Sequence, residues 1–173
     1  MKKKLLSITA LIAVLSLFNL KANAQSVSGN INLSLILSDA YSIVLGTSPD
    51  VTFTYATAAD YASAQSVTKA SNFTVVSNKP YSVAVKANTA FSTISTTTPP
   101  LSAVHVNVDP TTTTGASYTN VALSVTNQTI ASAANPTTGT AYTIDYTIPN
   151  AAPLLAMAAG NYTTTMVYTV TQP

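Results

Sequence analysis

Cysteine, tryptophan, arginine and glutamate are all absent from the 173 residues. Without cysteine the chain forms no disulfide, offers no thiolate nucleophile and has no acceptor for the lipid of a lipoprotein. Charged residues of either sign make up only 7% of the sequence, and serine, threonine and asparagine supply most of the polar side chains instead. Copies of a protein with so uncharged a surface repel one another little, so close packing of many copies would be tolerated.

The N-terminal residues have the three parts of a secretory signal peptide. Residues 2–4 are lysines, a mainly apolar run spans residues 5–20, and residues 22–24 read Ala-Asn-Ala, a small-residue cleavage site. We expect cleavage after Ala24 and a mature chain of residues 25–173, located outside the cell or at its surface. The alternative, a retained membrane anchor, is disfavoured because the apolar run is short, so we expect no membrane span in the mature chain.

The basic character of the full chain comes from this leader. Four of the seven lysines lie in residues 1–24, so the mature chain keeps three lysines against five aspartates, a net charge of −2. A protein that binds nucleic acid needs a basic patch to neutralise phosphates, and the mature sequence contains no basic cluster. We therefore expect no nucleic-acid partner.

The sequence has no pattern typical of a catalytic or metal-binding protein. His105 is the single histidine, and it alternates with Val104 and Val106, so it should face away from the side that those valines bury. There is no nucleophile elbow, no glycine-rich oxyanion loop and no second base to complete a serine hydrolase site. The scattered aspartates do not form a ligand cluster. We expect neither enzymatic activity nor a cofactor.

Most of the mature chain alternates apolar and polar side chains, which is the period of a β-strand with one buried face. The alternating segments are residues 51–55, 73–75, 81–85, 104–108, 121–125, 142–148 and 162–170. Helical character is confined to the alanine-rich residues 56–65 and a loop at 151–159. The turn sequence Ser77-Asn78-Lys79-Pro80 predicts that the segments on either side of it form a hairpin.

Together with residues 27–37, these make eight or so short alternating segments separated by turn signals, and they predict an all-β fold. The architecture we expect is an immunoglobulin-like antiparallel β-sandwich, formed as a single domain by residues 25–173 after the signal peptide. Alternation, rather than continuous apolar runs, argues against a parallel sheet. A single closed sheet is the alternative architecture.

Residues 27–37, with the sequence VSGNINLSLIL, form the candidate functional segment. One face of this predicted strand is apolar apart from one glycine, and it consists of Val27, Gly29, Ile31, Leu33, Leu35 and Leu37. Two interpretations are open. The segment is either the first strand of its own domain, or a strand that completes a sheet in a neighbouring molecule through backbone hydrogen bonds and alternate side chains.

The ends of the mature chain resemble a known group of proteins. The N-terminal SVSGNINLSLILSDAYSIVLG and the C-terminal AAGNYTTTMVYTVTQP are similar to the first and last strands of the spore coat protein U family and of related chaperone-usher pilins. The resemblance implies secreted, immunoglobulin-like subunits, many of which polymerise when the N-terminal strand of one subunit fills a groove in the next. Gly29 among large apolar residues and the Gly-x-Tyr at 160–162 fit this group, whereas the usual disulfide cysteines are missing.

We therefore expect a secreted structural protein of the cell surface, a subunit of a pilus, fibre or coat. Its partners would be further copies of the chain or related surface subunits. The alternative is a non-catalytic module that binds carbohydrate or cell wall through stacked tyrosines, for which Tyr142, Tyr146, Tyr162 and Tyr168 are the candidates. The same tyrosines could instead be cross-strand packing pairs.

Overall fold

The computed structural model describes residues 30–92 and 96–173. The predicted signal peptide and two residues of the candidate interface, Val27 and Gly29, lie outside the described residues. Residues 38–173 form one compact unit, and residues 30–37 belong to a separate unit. None of the helices within the described ranges has the length and apolar composition needed to cross a membrane.

The described residues contain nine strands and one short α-helix. In chain order these elements are β1 (Tyr41–Leu45), α1 (Ala58–Ala62), β2 (Gln65–Ser77), β3 (Tyr81–Ala87), β4 (His105–Val108), β5 (Ser117–Tyr118), β6 (Val121–Ala122), β7 (Gln128–Ala134), β8 (Thr137–Ile148) and β9 (Met166–Thr171). Two 3-10 turns lie at Leu101–Ala103 and Ala152–Leu154. The helical character predicted for residues 56–65 and for the loop at 151–159 is confirmed.

The strands form two antiparallel sheets. One sheet has the strand order β1-β2-β8-β4-β6, and the other has the order β5-β7-β3-β9. The all-β, antiparallel prediction is therefore confirmed. The alternative of a single closed sheet is wrong, because each of the two sheets ends in two edge strands.

The core lies between the sheets and follows from the alternation in the sequence. In β8 the inward residues from Tyr142 to Ile148 are buried, whereas the intervening threonines and aspartate are partly exposed. Side chains of β3 and β7 join the same apolar cluster from the second sheet. His105 faces away from the core as predicted, since Val106 and Val108 on the same strand are buried and His105 is not part of the cluster.

The predicted hairpin between residues 73–75 and 81–85 is wrong. Strand β2 pairs with β1 and β8, whereas β3 pairs with β7 and β9 in the other sheet. The turn at 77–80, in which the Ser77 hydroxyl donates to the Lys79 carbonyl at 2.7 Å, carries the chain from one sheet to the other. Alternation specifies which face of a strand is buried, but the strand that lies beside it is set by the tertiary fold.

The residue after β1, Gly46, lies so close to the backbone of β2 that no side chain fits there. The Gly46 N–H donates to the Asn72 carbonyl at 2.8 Å, and a Cβ on Gly46 would collide with the Ser71 carbonyl oxygen. Because this oxygen belongs to the backbone, Gly46→Ala must push β1 away from β2. We expect a loss of about 1–3 kcal/mol in the free energy of unfolding, measured by urea denaturation. The exposed change Ser48→Ala is the control, and equal stability of the two variants would contradict the fit.

Candidate functional site

A cleft of about 520 Å³ opens between two extended segments, residues 51–55 and residues 160–166. Core side chains, among them Val104, Leu123 and Ile148, contribute to its apolar lining. Both segments lie within the described ranges, and no backbone hydrogen bond joins them to each other. The cleft therefore lies between two stretches of extended chain that are not part of one ladder.

The first segment, residues 51–55, alternates as the sequence predicts but is not assigned as a strand. Val51, Phe53 and Tyr55 are half-buried and pack against the core, whereas Thr52 and Thr54 are exposed. Among the described residues, none forms a backbone hydrogen bond with this segment. Its backbone N–H and C=O groups are thus available to an additional strand.

The second segment is paired on one side only. The N–H groups of Asn88 and Ser92, in the chain that follows β3, donate to the carbonyls of Thr165 and Thr163 at 2.8 and 2.7 Å. Successive residues of an extended chain direct their backbone groups to opposite sides, so residues 162, 164 and 166 direct theirs away from this partner. These three residues also contribute to the cleft lining. As far as the structure describes the chain, residues 160–166 and β9 behind them therefore present a free sheet edge beside a cleft with apolar and polar lining.

Tyr55 is a polar residue of the cleft whose hydroxyl is not satisfied. Its oxygen is buried and has no hydrogen-bond partner within the described part of the chain, and its ring packs against Tyr61 with centroids 4.9 Å apart. Burial raises the pKa of the Tyr55 hydroxyl, with smaller contributions from Tyr61 and Asp60. A buried hydroxyl without a partner costs about 1–3 kcal/mol, so the unpaired Tyr55 hydroxyl lowers the stability of this side of the cleft.

The described residues of the candidate interface are exposed to solvent. Ile31 and Leu33 are each 93% exposed, and Leu35 and Leu37 are each 79% exposed. The structure assigns no strand to residues 30–37, and β1 begins at Tyr41.

The tyrosines considered for carbohydrate binding divide into two groups. Tyr142 and Tyr146 are buried, and the Tyr146 hydroxyl lies 2.5 Å from that of Tyr168, so their role as packing pairs is confirmed. Tyr162 instead contributes to the cleft lining, and its hydroxyl donates to the Ala158 carbonyl at 2.9 Å. Within the described ranges, no group of three histidine, cysteine or acidic residues is placed to hold a metal ion.

Sequence analysis missed the cleft residues as a set. Phe53, Tyr55, Phe91 and Met166 come from three separate parts of the chain, and each has the alternating context of an ordinary strand or loop. The available signal was the unusual aromatic content of residues 53–61. That signal does not reveal that residues 51–55 have no ladder partner among the described residues.

Comparison with protein-family models finds no matching family, and comparison with curated proteins finds no significant match.

Proposed function

We propose that this protein is a secreted structural subunit of a cell-surface pilus, fibre or coat. Its two sheets would form an immunoglobulin-like sandwich that assembles when residues 27–37 of one copy enter the cleft of the next. The observation that carries the proposal is a cleft edge without a ladder partner and an alternating segment, residues 30–37, without one, both among the described residues. The cleft offers a free sheet edge and an apolar lining, and the segment offers free backbone groups and exposed leucines.

The chemistry of the joint is that of strand addition. Backbone groups of the incoming segment would bond to residues 162, 164 and 166. The segment would then lie about 4.8 Å from this edge, as adjacent strands do. The alternate side chains Ile31, Leu33 and Leu35 would then face the apolar lining of the cleft. Burying each of them contributes about 1.5–3 kcal/mol, so three together supply enough free energy for a stable joint. The low charge of the surface permits the close approach of copies.

The experiment compares Leu33→Asp with Asn32→Asp in the mature chain. The two changes place the same charge on neighbouring residues, but only Leu33 lies on the apolar face of the segment. We expect Leu33→Asp to weaken assembly about a hundredfold or more, because a carboxylate would have to enter an apolar cleft. Asn32→Asp should assemble nearly as the wild type does. Analytical ultracentrifugation gives the association constants, and electron microscopy shows whether filaments form.

Two results would contradict the proposal. One is a mature protein that stays monomeric at high concentration and loses no stability when residues 25–37 are deleted. The other is equal weakening of assembly by both charge variants, which would mean that the alternation of the segment plays no part in the joint.

A second candidate function is binding of a neutral carbohydrate in the same cleft. The observation in its favour is the aromatic lining, to which Phe53, Tyr55, Tyr61, Phe91 and Tyr162 contribute. Aromatic faces of this kind can pack on sugar rings. Retention of the monomer on a polysaccharide matrix that is lost in Tyr162→Ala would favour this function over assembly.

A further inference from the structure

Residues 151–160, called here the flap, connect β8 to the free edge and contribute to the cleft lining. Every hydrogen bond of the flap has its partner within four residues, as far as the structure describes the chain. The Leu154 N–H donates to the Ala151 carbonyl at 2.8 Å, and the Met157 N–H donates to the Leu154 carbonyl at 3.1 Å. At the ends, Asn150 Oδ1 accepts from the Ala152 N–H, and the Ala158 carbonyl accepts from Tyr162. Within that part of the chain, the bond from Tyr162 is therefore the one hydrogen bond that joins the flap to the free edge, and none joins it to a strand.

Apolar side chains hold the flap in place instead. Ala151 is buried, Leu154 packs against the core, and both Leu154 and Met157 face the cleft as part of its lining. Leu155, between them, is 67% exposed. A segment held by a few apolar contacts, without ladder hydrogen bonds, opens at a lower free energy cost than the sheets on either side of it.

The flap also ends at a residue that can act as a hinge. Gly160 has φ of 155°, a conformation that other residues rarely adopt, and residues 162–166 beyond it form the free edge. Movement about Gly160 would shift Leu154 and Met157 out of the cleft without disturbing β9. The two side chains thus form part of the wall beside the space that an incoming strand would enter with its own leucines.

We propose that the flap plugs the cleft of the free subunit and must be displaced before a strand enters, so that it slows self-assembly. This inference rests on the proposed function. The unassembled subunit covers part of its apolar cleft with Leu154 and Met157. The incoming segment replaces these side chains with its own and adds the backbone hydrogen bonds that the flap does not supply.

The test uses three forms of the mature chain: the wild type, the double variant Leu154→Ser/Met157→Ser, and Leu155→Ser as the matched control. Monomer is isolated by size-exclusion chromatography, and assembly is followed by light scattering. Because each lost apolar contact weakens flap closure by about tenfold, we expect the double variant to assemble at least about tenfold faster than the wild type. Leu155→Ser should assemble at the wild-type rate. Thermal melting confirms that all three forms are folded.

A folded double variant that assembles at the wild-type rate or more slowly would overturn the inference. A second readout, the fluorescence of a dye that binds apolar surface, separates this failure from failure of the proposed function. If no form assembles, the proposed function fails. The plug is then supported if dye binding increases only in the double variant, and overturned if the three forms bind the dye equally.

Discussion

Raising the pH from about 10 to about 12 is expected to unfold the protein, because buried tyrosines must stay protonated for the two sheets to pack. The Tyr142 hydroxyl donates to that of Tyr81 at 3.0 Å. The Tyr146 hydroxyl lies 2.5 Å from that of Tyr168 and accepts from the Asn72 side-chain amide at 3.1 Å. These pairs lie in or beside the core, where a tyrosinate would lose its hydration.

The pKa values give the direction of the effect. Burial raises the pKa of Tyr146 to about 12, and burial raises the pKa of Tyr142 and Tyr168 well above the ordinary value of 10. Neighbouring hydroxyls add to the pKa shift of Tyr142, through its hydrogen bond to Tyr81, and to that of Tyr168, through Tyr146. A group whose pKa is raised in the folded state contributes its full stability below the pKa of the unfolded chain. That contribution is lost as the pH rises above that value.

The size of the effect follows from linkage. Above about pH 10, each tyrosine that is ionised only in the unfolded chain removes about 1.4 kcal/mol per pH unit. With three such tyrosines the loss by pH 12 is about 8 kcal/mol, which is comparable with the whole stability of a typical domain. Urea denaturation at a series of pH values measures the slope, and tyrosinate absorbance measures ionisation.

The matched controls are Tyr146→Phe and the exposed Tyr41→Phe. Tyr146→Phe removes one titrating group, so the loss of stability above pH 10 should become about a third smaller, although the variant is less stable at neutral pH because Asn72 and Tyr168 lose a partner. Tyr41→Phe should leave the slope unchanged. If tyrosinate absorbance rose fully while the protein stayed folded, the buried network would not have this role.

The sheets were predictable because their signal is local. From Tyr142 to Ile148 each apolar residue is followed by a polar one, and this pattern needs no knowledge of the rest of the fold to predict a half-buried strand. The pairing of the strands was harder to predict than the strands themselves. The turn at 77–80 suits a hairpin as well as a crossing between sheets, and only the packing of both sheets decides between them.

The cleft could not be predicted, because its lining comes from several distant parts of the chain. Residues 51–55 have the same alternation as β8, yet they have no ladder partner among the described residues. A ladder partner is supplied by distant parts of the chain or by another molecule. The sequence did single out residues 27–37 as a segment that could serve as such a partner, and that assignment stays a prediction.

Phe73→Ala is expected to lower the free energy of unfolding by about 3–5 kcal/mol. The Phe73 ring is fully buried and stacks on Tyr142, its partner in the β2–β8 ladder, with centroids 4.9 Å apart. It also contacts Tyr168 in β9, with centroids 4.7 Å apart. Because β9 belongs to the other sheet, the truncation leaves a cavity at the point where the two sheets are joined.

The measurement is urea denaturation followed by circular dichroism, with Val76→Ala as the control. Val76 lies on the same strand but is 37% exposed on the outer face, so its truncation should change stability by no more than about 0.5 kcal/mol. Equal losses in the two variants would mean that Phe73 does not connect the sheets.

Since Tyr168 continues the free edge beside the cleft, Phe73→Ala should also weaken assembly at a temperature where the variant is still folded. Val76→Ala should not, and this difference would link the core between the sheets to the edge at which a second copy is proposed to bind.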